Sequence, residues 1–201
     1  MLRDKLKKYK IILASGSPRR QRYFKELNID FEIRLKDVEE VYPPELKGAE
    51  ITDYLAKLKA EAHIPIHNPE EIIITSDTIV WHNGKALGKP KDYDDAFAML
   101  KSLSGNTHEV ITSVCFLHQH GEHVLHETTK VTFNLLSDQE IKFYLDNYKP
   151  FDKAGAYGIQ EWIGLVAIQK IEGSYNNVVG LPVDKVYQYL STFAEITHFR
   201  N

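Results

Sequence analysis

Short apolar segments typical of β-strands alternate with amphipathic helical patterns, and this alternation restricts the fold of the chain more than any other feature. "IIL" at residues 11–13 precedes the helical segment "SPRRQRYFKEL", and the strand-like run "IIIT" at residues 72–75 follows the helical pattern "AEITDYLAKLKAEAH". Strands and helices that interleave along a sequence are typical of α/β proteins, in which helices cover a central sheet. We therefore expect an α/β fold.

Two hairpin signals indicate that the sheet is mixed rather than wholly parallel. Asn83-Gly84, the strongest short hairpin signal, follows a long apolar run, and a polar turn around Gly121 separates two strand-like segments. Further helices are predicted at "DYDDAFAMLKSLSG", at "LPVDKVYQYLSTF", and at "SDQEIKFYLDNY", where Ser137 and Glu140 have capping-box spacing. The glycine-rich segment "PFDKAGAYGIQEWIG" is predicted to be a loop that leads to the strand "LVAIQKI".

Composition and charge exclude several classes of protein. The net charge of -3 gives no global field that would attract nucleic acid or an anionic membrane surface, so any anion site must be local. The single cysteine, Cys115, lies in an apolar stretch and is expected to be buried and unreactive. No apolar run approaches the roughly 20 residues that span a bilayer, and the N-terminus lacks the apolar core of a signal peptide. We expect a cytoplasmic protein with one domain, residues 1–201.

The segment after the first strand, "ASGSPRRQRYFKEL", begins a helix with two arginines at its positively polarised end. Ser15, Ser17, Arg19, Arg20 and the free backbone N–H groups there predict a phosphate-binding helix start. The alternative is an ordinary capping motif with Pro18 in the first turn and exposed arginines. Because like charges repel at this end of the helix, we expect Arg20→Ala to raise thermal stability slightly while weakening anion binding. Neither a Walker loop nor a dinucleotide-binding glycine motif occurs.

Carboxylates supply the second candidate cluster. Asp77 stands at the end of the buried strand "IIITSD", a position where α/β proteins commonly place site residues, although a turn-forming role is an alternative. Glu40 lies in the acidic segment "VEE", which is ordinary solvated surface unless it meets Asp77, in which case the two carboxylates can hold a magnesium ion. Lys59, Lys89 and Lys153 are either surface lysines or a source of positive charge for phosphates.

Four histidines in "HQHGEHVLH" suggest a metal site at first sight. They straddle a predicted hairpin turn and lack acidic or thiol partners at ligand spacing apart from Glu122, whereas zinc sites need fixed, convergent geometry. We therefore do not expect a metal at these residues, which are His118, His120, His123 and His126. The two tryptophans are likewise expected to pack in the interior rather than against a base.

Five segments together resemble one family, the Maf-type nucleoside triphosphate pyrophosphatases. They are "LASGSPRRQRYFKEL", "SDTIVWHNGKALGKP", "SGNTHEVITSV", "DKAGAYGIQ" and "NVVGLP", and they occur in order over nearly the whole chain. The resemblance implies a mixed, twisted central sheet flanked by helices, with two lobes around a deep cleft, related to the inosine-triphosphate pyrophosphatases. It also implies hydrolysis of a nucleoside triphosphate to the monophosphate and pyrophosphate with a divalent cation, Mg²⁺ or Mn²⁺.

The resemblance also assigns roles to residues by position. Asp77 matches the catalytic proton acceptor and, with Glu40, the metal ligands. The phosphate-binding residues implied are Ser15, Ser17, Arg20, Lys59 and Lys89. Three further positions separate the substrate groups of the family, and they are Arg19, Thr78 and Gln160. The residue types found at these three positions resemble the subgroup that hydrolyses dTTP and UTP.

One departure from the family pattern bears on specificity. After Gln160 the family usually has glycine, whereas this chain continues with Glu161 and Trp162, so the loop is expected to differ in shape there. Two other functions stay open: a non-catalytic regulator of cell division that acts by binding a partner, and a purine-directed house-cleaning pyrophosphatase. The expected partner is the nucleoside triphosphate itself, without nucleic acid or membrane. The sequence does not fix the oligomeric state, and a homodimer is compatible with it.

Overall fold

The computed structural model describes residues 1–198, which contain eight helices, seven strands and one turn of 3₁₀-helix, Ala154–Ala156. The strands are β1 (Lys10–Leu13), β2 (Phe31–Ile33), β3 (Glu71–His82), β4 (Lys85–Leu87), β5 (Thr107–His118), β6 (Gly121–Phe133) and β7 (Ile168–Glu172). The helices are α1 (Leu2–Lys5), α2 (Pro18–Glu26), α3 (Ala49–Glu61), α4 (Tyr93–Leu103), α5 (Asp138–Tyr148), α6 (Trp162–Val166), α7 (Tyr175–Val179) and α8 (Val183–His198). Each helix in this part of the chain is too short or too polar to cross a bilayer.

One mixed sheet contains the seven strands in the order β2-β1-β3-β5-β6-β7, with β4 paired to the far end of β3. β1 is parallel to both β2 and β3, whereas β5, β6 and β7 follow as antiparallel neighbours. The predicted hairpins join β3 to β4 and β5 to β6, and Asn83 and Gly84 have the positive φ angles that a two-residue turn requires. The expected α/β class with a mixed central sheet is therefore confirmed.

Side chains alternate across the central strands, and helices cover both faces of the sheet. On one face, Ile72 and Ile74 of β3 pack with Phe24 of α2, in a cluster that also includes residues of α1 and α8. On the other face, Ile73 packs with Ala56 of α3. These buried side chains fix the register of β3, since a slip of one residue would move each of them to the opposite face.

A second large core cluster lies toward the other end of the sheet. Val110 of β5 packs there with side chains of α4, α5 and α6, including the fully buried Leu100 and Ile163. Each such side chain contributes on the order of 2 kcal/mol through burial of its apolar surface. Tyr157 and Ile159 belong to the same cluster, which therefore holds the segment around them against the sheet.

One edge of β3 is interrupted. β1 pairs with residues 71–74 of β3, and β4 pairs with residues 80–82. Between them, on the side away from β5, no strand in the described part of the chain pairs with residues 75–79. The sheet therefore has a gap at this edge, and side chains from both faces of β3 are accessible from it.

Several local predictions are wrong in detail. Asp77 lies in the middle of β3 rather than at a strand end, because β5 continues to pair with the residues beyond it. Leu165 and Val166, predicted to begin a strand, belong to α6, and β7 begins only at Ile168. The cause is tertiary packing, since Ile163 is fully buried and draws the segment into a helical turn. The short helices α1 and α7 were not predicted.

Candidate active site

A cleft of about 760 Å³ opens at the interrupted edge of β3. Ser76, Asp77 and Thr78 all line it, although side chains alternate along a strand, because the cleft reaches both faces where no neighbouring strand intervenes. The other walls come from the start of α2, from residues after β2 and from the segment before α6. Every residue that the sequence predicted for catalysis, phosphate, metal or specificity lines this cleft: Ser15, Ser17, Arg19, Arg20, Glu40, Lys59, Asp77, Thr78, Lys89 and Gln160.

Arg20 connects three elements at the gap. Its Nε donates to the carbonyl of Gly180 at 2.8 Å, and its Nη1 donates to the carbonyl of Ser76 at 2.9 Å. Its Nη2 donates to Oγ1 of Thr78 at 2.9 Å, and Nη1 also reaches Oγ of Ser15 at 3.4 Å. Most donors of the guanidinium are thus engaged by the protein itself, and the side chain is both part of the cleft wall and a structural tie.

Burial lowers the pKa of Arg20 to about 10, while the negative charge of Asp77 opposes the shift. The side chain therefore remains a cation at neutral pH. These hydrogen bonds argue against the expectation that Arg20→Ala would raise stability, because that expectation considered only the repulsion at the helix start. Removal of the guanidinium would leave the carbonyls of Ser76 and Gly180 without this donor, and we expect this loss to cost more than the relief of repulsion gains.

The start of α2 is a capped helix N-terminus that faces the cleft. Oγ of Ser17 accepts from the N–H of Arg20 at 3.5 Å, and Pro18 occupies the first turn, as the sequence predicted. Oγ of Ser15 accepts from the N–H of Ser17 at 3.3 Å. Arg19 donates through Nε to a backbone carbonyl of α7 at 3.2 Å, and its guanidinium is partly exposed in the cleft. These groups form a cationic, donor-rich surface suited to an anion.

Asp77 and Glu40 meet at one lysine. Nζ of Lys59 on α3 lies 2.6 Å from Oδ1 of Asp77 and 3.1 Å from Oε1 of Glu40. The Asp77 side chain is 9% exposed, whereas that of Glu40 is 47% exposed. Within residues 1–198, Oδ2 of Asp77 has no hydrogen-bond partner and is accessible to a water or a ligand. Asp77 and Glu40, which the sequence could only suggest as neighbours, therefore lie close together.

The donor set of this pair fits a magnesium-type cation. Among the residues that the structure describes, no group of three or more His, Cys, Asp or Glu side chains is placed to hold a metal. Mg²⁺, however, is commonly held by one or two carboxylates together with substrate phosphates and water. Asp77 and Glu40 offer two such oxygens in a cleft with anion-binding groups, so a metal that arrives with a polyphosphate suits them better than a closed protein site.

Two lysines differ in how they meet the cleft. Lys89 follows β4, is exposed at the rim, and forms no ion pair with any residue in the described part of the chain. Nζ of Lys153 lies 2.7 Å from Oδ1 of Asp152 and 3.1 Å from Oε1 of Glu161, and its side chain is only 11% exposed. Lys89 is thus free to move toward a ligand, whereas Lys153 is held.

Gln160 reaches the cleft from a tightly folded segment. The N–H of Gly155 donates to the carbonyl of Gly88 at 3.0 Å, and Gly155 has a φ of +66°. A Cβ there would lie 2.7 Å from Cγ2 of Val80, so only glycine allows this approach to β3. The side chain of Gln160 is exposed and points at no described partner, which leaves its amide available to a ligand.

Some residues that shape this site were not predicted. Tyr144 of α5 hydrogen-bonds both Gly158 and Glu161, on either side of Gln160. Nothing in the sequence distinguishes Tyr144 from the other apolar positions of its helix. For Glu161 a signal did exist, namely the departure from the glycine that the family usually has at that position.

The histidines of the β5–β6 hairpin lie outside the cleft. His123 stacks on Tyr189 with ring centroids 4.5 Å apart, and Nδ1 of His126 lies 3.2 Å from Oδ2 of Asp53. Cys115 is fully buried, as expected, and burial raises the pKa of its thiol to about 12. None of these groups faces Asp77.

The fold and the site together define a class: an α/β protein whose cleft combines a cationic helix start with a pair of carboxylates and is suited to a polyphosphate ligand. Residues 10–193 match the family model described as Maf-like protein, and the chain belongs to this family. The resemblance noted from five segments of the sequence is thereby confirmed.

Two relatives with high sequence identity support this assignment. A protein from Flavobacterium johnsoniae named dTTP/UTP pyrophosphatase is 66% identical over 192 residues, which cover 96% of this chain and 99% of that one. A protein of the same name from Flavobacterium psychrophilum is 64% identical over 190 residues, which cover 94% and 97% of the two chains. Among solved structures, the Staphylococcus aureus Ham1 protein has a TM-score of 0.47 at 18% identity, covering 62% of this chain and 71% of that one.

Proposed function

We propose that this protein is a nucleoside triphosphate pyrophosphatase that hydrolyses dTTP and UTP to the monophosphate and pyrophosphate. The observation that carries the proposal is the meeting of Asp77 and Glu40 at Lys59, in the same cleft as the donor-rich start of α2. Close relatives that span nearly all of this chain bear the name dTTP/UTP pyrophosphatase. Neither alternative, a non-catalytic regulator or a purine-directed enzyme, has a comparable observation in its favour.

In this proposal the triphosphate lies along the cationic wall of the cleft. Ser15, Ser17 and the backbone N–H groups of the helix start bind phosphate oxygens and fix the pose, and Lys89 closes on them from the rim. The remaining N–H of Arg20 and the ammonium of Lys59 add positive charge where negative charge develops on the α-phosphate. Asp77 faces the attacking water through its free oxygen Oδ2 and accepts the proton that the water releases.

A divalent cation, Mg²⁺ or Mn²⁺, would be held by Asp77 and Glu40 together with phosphate oxygens. When bound, it would supply charge neutralisation at the phosphates and lower the pKa of a coordinated water. The protein's own part in this arrangement is to keep two carboxylates at one point, and Lys59 does so before the substrate arrives.

Base selection is assigned to Gln160, Arg19 and Thr78. The edge of uracil or thymine presents an N3–H donor beside carbonyl acceptors, and one glutamine amide offers both an acceptor and a donor to match them. Cytosine presents an unprotonated N3 and an amino group instead. The 5-methyl group of thymine is expected to matter little, since one methyl group is worth about 1–3 kcal/mol even in a tight pocket.

A panel of nucleoside triphosphates tests the proposal. Pyrophosphate release from UTP, dTTP, CTP, GTP and ITP is measured with Mg²⁺ and with Mn²⁺, and kcat/KM is expected to be highest for UTP and dTTP. Preference for GTP or ITP would establish the purine-directed alternative. Absence of turnover with every nucleotide would favour the regulator. The oligomeric state stays open and the expected cytoplasmic location stays a prediction, and light scattering and cell fractionation test them.

A further inference from the structure

Gln160 lies in a turn that is held in place by Tyr144, a buried residue outside the cleft. The N–H of Glu161 donates to the carbonyl of Gly158 at 3.0 Å, which closes a four-residue turn with Gln160 as its third residue. Because no described residue hydrogen-bonds the Gln160 amide, the placement of this amide depends on what fastens the turn.

Both ends of the turn bind one oxygen atom, the phenolic Oη of Tyr144. The N–H of Gly158 donates to this oxygen at 3.0 Å, and the phenol donates to Oε2 of Glu161. Tyr144 is fully buried, and its ring stacks on that of Tyr148 with centroids 5.2 Å apart. Burial raises the pKa of the Tyr144 phenol, and the hydrogen bond to Glu161 raises it further, so the hydroxyl stays protonated.

Glu161 extends this connection to a cation in the cleft. Its other oxygen, Oε1, lies 3.1 Å from Nζ of Lys153. The two side chains pack closely over Gly158, because a Cβ there would lie 3.0 Å from both Cε of Lys153 and Cδ of Glu161. One carboxylate therefore ties the buried phenol, the turn and Lys153 into a single unit.

We propose that Tyr144 and Glu161 are positioning residues for substrate selection. Tyr144 lies outside the cleft and Glu161 lines it beside Gln160, and the arrangement proposed above, on which this inference rests, assigns neither of them a contact with the ligand. Tyr144 holds the turn in the pose from which Gln160 reads the base, and Glu161 also holds Lys153 at the cleft wall. Loss of the phenolic hydroxyl should therefore loosen discrimination between bases before it affects the chemical step.

Tyr144→Phe removes the hydroxyl and keeps the ring. Two controls match it: Ile141→Val, a destabilising change at a fully buried site on the same helix, and Tyr148→Phe, which removes the hydroxyl of the stacked, exposed neighbour. Amide hydrogen exchange of the peptide that contains residues 157–161 is expected to be at least tenfold faster in Tyr144→Phe alone. The ratio of kcat/KM for UTP to that for CTP is expected to fall at least threefold in Tyr144→Phe and to stay at the wild-type value in both controls.

Glu161→Gln distinguishes the contact of Glu161 with Tyr144 from its ion pair with Lys153. Its amide oxygen still accepts from Tyr144, but the charge opposite Lys153 is lost, so KM should rise while the ranking of bases is kept. Unchanged exchange in Tyr144→Phe, or faster exchange with an unchanged UTP-to-CTP ratio, would overturn the positioning role. If wild-type protein releases no pyrophosphate from UTP or dTTP, the proposed function fails, and the exchange measurement alone then decides whether Tyr144 fastens the turn.

Discussion

The guanidinium of Arg20 donates to the backbone carbonyl of Ser76 at 2.9 Å, at the point where β3 has no neighbouring strand. The bond satisfies an edge carbonyl that an adjacent strand would otherwise satisfy. The same side chain binds Gly180 and Thr78, so it joins α2, the middle of β3 and the end of α7. A residue expected to bind phosphate is thus also one that holds the cleft together.

Arg20→Ala is expected to lower the free energy of unfolding by about 2–4 kcal/mol, because it removes several hydrogen bonds of roughly 1 kcal/mol each. Chemical denaturation of wild type and variant gives the value. Arg22→Ala is the matched control on the same helix: Arg22 is exposed and pairs with Glu26 at 2.7 Å. Its loss should cost much less stability than the loss of Arg20, because an exposed ion pair contributes little. Equal or greater stability of Arg20→Ala would mean that repulsion at the helix start outweighs these bonds.

Asp77→Asn keeps the size of the side chain and removes its charge. The rate of pyrophosphate release is expected to fall on the order of 100-fold or more, since both the proton acceptor and a metal ligand are lost. The variant should remain folded because Lys59 keeps its contact with Glu40. Glu122→Gln, which neutralises an ion pair with Lys57 outside the cleft, should leave the rate unchanged. Near-normal turnover of Asp77→Asn would remove Asp77 from the mechanism.

Lys59→Gln tests whether the Lys59 ammonium occupies the position that a divalent metal ion would take between Asp77 and Glu40. With Lys59 gone, Asp77 and Glu40 face each other without a positive charge between them, so Mn²⁺ should bind the nucleotide-free protein about tenfold more tightly. The measurement is an electron paramagnetic resonance titration of free Mn²⁺, and the control is Lys57→Gln, on the opposite face of α3, where Lys57 pairs with Glu122. Weaker or unchanged Mn²⁺ binding in Lys59→Gln would show that the two carboxylates do not form a metal site.

Local sequence signals predicted the elements whose geometry is determined locally. The capping box of Ser137 and Glu140 is present at the start of α5, because its two hydrogen bonds join residues only three apart. The Asn83-Gly84 hairpin followed from the φ angles that those residue types tolerate. By contrast, α6 depends on the burial of Ile163 against distant parts of the sheet, and it was missed.

The candidate site shows the same division. The sequence identified which residues belong to the site, but it did not show which tertiary contacts bring them together. Asp77 was expected at a strand end, whereas it lies mid-strand and is exposed by a gap between β1 and β4 that only the pairing of distant segments creates. Likewise Arg20 binds Gly180, a partner 160 residues away, which no local pattern indicates. Tyr144 was missed because its contribution is a hydroxyl in an otherwise apolar helix face.

Acid is expected to destabilise the protein through His108. The ring is 2% exposed and its Nε2 lies 2.8 Å from Oη of Tyr157. Burial lowers its pKa from 6.5 to about 3, with a smaller contribution from His82. The unfolded chain thus binds a proton below pH 6.5 that the folded chain refuses until about pH 3, so stability is retained above this window and is lost as the pH falls through it.

One such proton gives a slope of about 1.4 kcal/mol per pH unit in the free energy of unfolding. His108→Gln cannot titrate, so its stability measured by urea denaturation between pH 6 and 4 should fall less steeply than that of wild type by this amount. Phe133→Leu is the control, because the ring of Phe133 packs against that of His108, with centroids 4.9 Å apart, but cannot titrate. It should lower stability and keep the wild-type slope. Parallel curves for wild type and His108→Gln would exclude His108 as the source.

Gln160→Glu tests whether the Gln160 amide recognises the base through hydrogen bonds. The change replaces the amide donor by a second acceptor, which would face a carbonyl of uracil and leave it unpaired. The expected cost is roughly 1–3 kcal/mol in kcat/KM for UTP and dTTP, the penalty of an unsatisfied buried polar group. For CTP, whose amino group can donate to the new carboxylate, kcat/KM should fall less. The difference in kcat/KM between UTP and CTP should therefore become smaller or change sign.

The comparison requires kcat/KM for UTP, dTTP, CTP and GTP with wild type and variant under the same metal concentration. Glu39→Gln is a fitting control, since Glu39 is an exposed neighbour of Glu40 and changes the charge near the cleft by the same magnitude without meeting the base. A general electrostatic effect on the triphosphate would alter all four nucleotides alike, whereas base reading changes their ratios. If Gln160→Glu lowers kcat/KM equally for every nucleotide, Gln160 acts on the phosphates or the turn rather than on the base, and the preference for dTTP and UTP must come from Arg19 and Thr78.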